Sequence, residues 1–178
     1  MSLNEYAYIR NIAKQKILVC RVLLGNEVVK ISGRFGSTFD CGFNETSIVL
    51  SYTRVSKLVF MNEYDEVIEY NKVEEVEFSL VKRPIRNVLE HGHYYALDII
   101  IRLKNGVSYH LETFAFKFLE KIKLLLETYN VKIIDNLSLI EKYSGLDIEE
   151  VKVLISPIYD SLALEYNLDS IRTLDNRK

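Results

Sequence analysis

A chain of 178 residues is long enough for one domain with a genuine core and too short for two full ones. Its hydrophobic fraction of 48% and charged fraction of 27% are those of an ordinary globular protein, and 12 tyrosines and 8 phenylalanines beside only 2 prolines lean toward strands. The formal net charge of -2 excludes the broad basic field of a nucleic-acid binder, and the two cysteines, Cys20 and Cys41, lack the spacing of a disulfide framework or a CxxC centre.

The opening stretch MSLNEYAYIR has no basic start followed by an apolar core, and no run reaches ~18 apolar residues. Neither a signal peptide nor a membrane span is expected, so the expected location is cytoplasmic. Short strand-like runs then fill the first two thirds of the chain: KILVCRVLLG, EVVKISGRF, TSIVLSYT, SKLVFM, EVIEY, VEFSLV, YYALDIIIRL and VSYHLE. Their spacing predicts an antiparallel meander that curls into a sandwich or barrel. The first of these runs can also extend a helix from Glu5, since Tyr6, Ile9 and Ala13 fit that period; β-branched content and Gly25 favour a strand. GRFGSTFDCGF has three glycines but lacks the Lys-Ser/Thr of a phosphate loop, and reads as a connection or kinked strand.

Asn105-Gly106 marks a hairpin turn. A three-residue loop of Lys104, Asn105 and Gly106, with Gly106 left-handed, pairs Leu103 with Val107, Ile101 with Tyr109 and Ile99 with Leu111, making one face uniformly apolar. The other face then carries Asp98, Ile100, Arg102, Ser108, His110 and Glu112, and is expected to be mostly wet. His91 and His93 share the inward parity whereas His110 points outward, so the three histidines of the chain are not expected to converge on zinc.

From Thr113 the period lengthens to that of a helix: Phe118, Leu119, Ile122, Leu125, Leu126 and Tyr129 form one stripe, with Thr113 as cap and Asn130 as left-handed terminator. VKIID reads as a brief strand. A boundary near Asp135 divides residues 1-135 from a helical C-terminal extension, 136-178. There Ile148, Val151, Ile155, Ile158 and Leu162 recur three and four apart, and Ser156-Pro157 splits them between two short helices. These are expected to pack on their own domain; oligomerisation or partner binding through them is the alternative.

Three cations around Pro84, namely Lys82, Arg83 and Arg86, are the candidate binding residues, since such a loop can hold a phosphate or an acidic peptide. Asp98 and Glu112 oppose each other across the hairpin, but in a wet setting they are expected to pair as surface charges rather than act as acid and base. No catalytic residue, metal site or cofactor is assigned.

The order of many strands followed by one long helix resembles that of a pleckstrin-homology-like domain. RVSKLVF, residues 54 to 60, resembles the strand of bacterial pleckstrin-homology and GRAM-type modules that reads Thr-Asn-x-Arg-Leu-Val-Phe, with Lys57, Leu58, Val59 and Phe60 on its second half. VIEYNKVEEVEFSL, residues 67 to 80, is similar to the segment that follows, where a short strand ends in a turn holding an apolar residue, here Val73. The resemblance spans roughly residues 15 to 130. It implies an α+β fold: an antiparallel pleckstrin-homology-like barrel or sandwich closed by one amphipathic helix. The segment LLGNEVVK lacks the basic pair of phosphoinositide-binding members. The function expected is a non-catalytic binding or scaffolding module for a protein partner or a weak anionic lipid surface, with no nucleic acid. The alternatives are a self-associating structural protein and a small enzyme.

Overall fold

The computed structural model describes residues 10–12, 15–25, 27–29, 39–52, 66–84 and 92–168. RVSKLVF, the strand predicted at SKLVFM, His91 and Arg86 lie outside the described residues.

In chain order the strands are β1 (Arg10–Ile12), β2 (Gln15–Leu24), β3 (Glu27–Val29), β4 (Phe39–Phe43), β5 (Ser47–Tyr52), β6 (Glu66–Glu69), β7 (Val73–Pro84), β8 (His93–Leu103) and β9 (Ser108–Thr113). Then follow α1 (Leu119–Thr128), β10 (Lys132–Ile134), α2 (Leu139–Tyr143), α3 (Ile148–Ile155) and α4 (Tyr159–Glu165). The α+β class and the strand at residues 15–24 agree with the sequence. Between β6 and β7 a 3-10 turn, Tyr70–Lys72, delivers a buried Val73, and the β7 register shifts between Val73 and Glu75.

The antiparallel arrangement is corrected. The sheet runs β10-β7-β8-β9-β2-β4-β5-β6, with β1 and β3 also paired to β2. β2 is parallel to both β9 and β4, and β10 is parallel to β7. Turn signals specify hairpins between neighbours in sequence, and β7 to β9 obey them, as do β1 and β3 with β2; β2 takes in addition two parallel partners, β4 and β9, that reach it through longer connections. β10 and β6 end the path and do not pair with each other among the described residues, so the described sheet is unclosed.

Alternation along each strand sends one set of side chains to a single large core. Phe78, Leu80, Leu97, Ile99, Ile101, Leu111, Cys20 and Val22 share it with Leu119, Ile122 and Leu126 of α1. Leu139 and Tyr143 of α2, Val151 and Ile155 of α3 and Tyr159 of α4 belong to the same cluster, so apolar packing runs without a break across Asp135. Asp135 itself holds the start of α2, its carboxylate accepting from Leu139 N at 2.7 Å and Ile140 N at 2.9 Å. Cys20 and Cys41 are both free thiols within this core. The Cys20 thiol is held well above its ordinary pKa, first by its hydrogen bond with Cys41 and then by burial, which keeps it protonated and unreactive.

The loop at Lys104 to Gly106 forms as read: Ile101 pairs with Tyr109 and Ile99 with Leu111. Leu103 N donates to Val107 O at 2.8 Å, and Gly106 sits at φ 79°, where a side chain is disfavoured. Asn130 also takes its left-handed place, at φ 53°. Thr113 does not cap the helix. It pairs with Leu97 as the last residue of β9, and its buried hydroxyl has no hydrogen-bond partner among the described residues. The helical stripe begins as a 3-10 turn, Phe116–Phe118, and α1 is capped through space, with Ser144 Oγ accepting from Glu120 N at 3.1 Å.

Candidate functional site

Consecutive positions on a strand point to opposite faces, and this separates the first two candidate cations. Lys82 lies on the helix side, donating to Asp160 Oδ1 at 2.8 Å with its ammonium 5.5 Å from the centre of the Tyr159 ring. Its pKa is raised, first by that hydrogen bond. Arg83 lies on the other face, buried, and grips Glu112 with two nitrogens: Nε donates to Oε2 at 2.9 Å and Nη2 to Oε1.

That second face is where the hairpin expectation needs correcting. Asp98, His110 and Glu112 are buried, not wet, as are Val81, Ala96 and Ile100 around them. Asp98 stands directly opposite Glu112 in the register, and two carboxylates side by side out of water repel unless each is compensated. Here Glu112 is met by the Arg83 fork, and Asp98 lies beside His110, whose Nδ1 is 3.3 Å from Oδ2. Farther along the same face the charges are closer to water. Arg102 donates to Glu75 at 2.9 Å and to Glu77 at 2.6 Å, and Lys132 donates to Glu75 at 2.8 Å. The Lys132 contact is the first cause holding the Glu75 carboxyl below its usual range.

Alternating polar residues suggested water. The opposing signal is YYALDIII, with one charged residue in eight, the pattern of a strand buried on both faces. His93, on the parity opposite to His110, is exposed. Among the described residues no group of three or more His, Cys, Asp or Glu is placed to hold a metal ion.

A separate concavity of about 750 Å³ lies between α1, the β2–β3 turn and the β4–β5 turn. Leu119, Ile122 and Leu126 take α1 into the core, which leaves the flank with Lys121, Leu124, Leu125 and Thr128 leaning over the turns. Leu24 and Phe43 supply the apolar wall opposite, and Asn44 and Thr46 the polar rim. Polar ties join the helix to both turns. Lys121 pairs with Glu27 beyond β2, and Tyr129 donates its hydroxyl to the carbonyl of Glu45 while its ring stacks on Tyr70 at 4.5 Å. Tyr70 in turn donates to Asn44 O at 3.0 Å. Strand and helix patterns in the sequence mark each wall but not their meeting, because Leu24, Phe43 and Leu124 come together only in the folded chain.

No family model matches the chain, and no curated protein or solved structure does either. No described helix is long and apolar enough to cross a membrane.

Proposed function

We propose that the chain is a non-catalytic binding module whose ligand lies in the concavity beside α1. The observation that carries this reading is the form of that site: an open concavity of about 750 Å³ with apolar walls and a few polar groups at the rim, a shape suited to a protein segment lying along the surface. The buried ionisable residues of the sheet support the non-catalytic part, since Arg83 is matched with Glu112 and Asp98 with His110 inside the fold. A protein segment is favoured over an anionic headgroup, because Lys82 and Arg83 each have their charge met by a carboxylate of the chain itself. A sheet whose apolar face packs against an amphipathic helix, α1, supports the resemblance to pleckstrin-homology-like modules; the further helices in the same core and the parallel pairings of β2 are departures from it.

Peptide display on the whole chain, followed by amide-shift mapping of a selected peptide, tests the reading. Shifts at Leu24, Phe43, Asn44 and Leu124 are expected, with loss of binding in Leu124→Glu. Selected peptides that shift only other surfaces would overturn it, and preferential binding to anionic vesicles would move the ligand class to lipid.

A further inference from the structure

The C-terminal helices have a second apolar side. Val151, Ile155 and Tyr159, four apart, are fully buried against the core, and Val153, two residues beyond Val151, points away from it. Val153 is 73% exposed and Leu164 88%, with Leu154 and Ile158 exposed as well. Scattered surface aliphatics need no explanation. Here five of the eight exposed large hydrophobics among the described residues fall between Val153 and Tyr166, and such clustering marks an interaction surface.

The charges around this patch are mainly negative. Glu149, Glu150, Asp160 and Glu165 flank it, against Lys152, the only base between Asp147 and Tyr166, and Lys82, which donates to Asp160 at 2.8 Å. The side chains of Glu149 and Asp160 are 77% and 84% exposed. A second copy docked about a twofold axis would set these acids against their own counterparts. An anionic membrane would be repelled.

We propose that the outer face of α3 and α4 docks a basic amphipathic segment of a partner protein, whose apolar side covers Val153, Leu154 and Leu164 and whose Lys or Arg residues meet the flanking acids. The surface is distinct from the concavity beside α1, and the proposal stands independently of that site. Calorimetric titration of the full chain with a synthetic Leu–Lys peptide, leucines at helical spacing, is the test, with the Leu–Glu counterpart as control.

The Leu–Lys peptide should bind, more weakly as salt rises, and the Leu–Glu peptide should not. Val153→Ser with Leu164→Ser should weaken binding at least about tenfold, because both lost side chains are apolar anchors. Leu124→Glu, in the concavity, should leave it unchanged. Equal affinity for the two peptides, or binding that survives the serine pair, would overturn the proposal. So would a dimer of the full chain, seen by light scattering, that the serine pair dissociates, since the occupant would then be a second copy. Amide shifts of the unsubstituted chain give a reading that needs no variant: changes confined to residues 149–166 are expected, and changes confined elsewhere reject the site.

Discussion

Arg83 of β7 reaches across β8 to hold Glu112 of β9 through two parallel hydrogen bonds, with both residues buried. One ion pair thereby ties three adjacent strands. Removing one partner leaves the other charge buried and unmatched, a loss of about 3–5 kcal/mol, whereas replacing both by apolar groups costs far less. In urea denaturation, Arg83→Met and Glu112→Leu should each be strongly destabilising, and the double variant milder than either. Additive losses would show that the two side chains act separately.

Two tyrosines give the chain an alkaline limit. Burial, reinforced by the neighbouring Cys41 and Tyr129, pushes the Tyr70 phenol well above its ordinary 10.0. Burial and the hydrogen bond to Glu66 do the same to Tyr109. Above that ordinary value the unfolded chain releases these protons while the folded chain keeps them, so the stabilisation is complete below pH 10.0 and is lost as pH rises toward the folded values. Urea midpoints across that range should fall, and tyrosinate absorbance should reach full amplitude only on unfolding. Tyr70→Phe should flatten the fall.

The hairpin turn is open to a simple comparison. Gly106 is left-handed at φ 79°, a region that costs an ordinary residue about 1–2 kcal/mol and a β-branched one more, while asparagine tolerates it. Gly106→Val should lower the melting temperature clearly and Gly106→Asn only slightly.

Two neighbours on α3 should behave oppositely. Ile155 is fully buried and Val153 is largely exposed. Ile155→Ala should cost about 2–5 kcal/mol by leaving a cavity, and Val153→Ala should stay within about 0.5 kcal/mol. A chain shortened to end at Asp135 should be less stable than the whole, because the core would lose Leu139, Tyr143, Val151, Ile155 and Tyr159. Equal melting temperatures would make the extension an independent unit.

How much of this was legible in the sequence depended on distance along the chain. Gly106 and Asn130 announced their backbone conformations through local chemistry, and the stripe of Leu119, Ile122 and Leu126 announced its own buried face. The parallel place of β2 between β9 and β4 had no local signal, because pairing between distant strands is decided by the whole core. The buried state of Asp98, His110 and Glu112 was hidden for a related reason. Period-two polarity normally means solvent, and it misleads when acids are matched by Arg83 and an imidazole from other positions. The concavity beside α1 likewise joins residues from three separate stretches.

The place of β2 also bears on the order in which the chain can be completed during synthesis. Gln15 pairs with Ser108, 93 positions later, and at ~5–20 residues per second a ribosome needs roughly 5–20 s to make that partner. Until then the β9-facing edge of residues 15–19 has no permanent neighbour, although β1, β3 and β4 can already hold other parts of β2, and such an edge invites pairing with other chains. The first half of β2 is thus exposed along one edge until β9 is made, which gives a chaperone that shields extended apolar segments a defined interval in which to act.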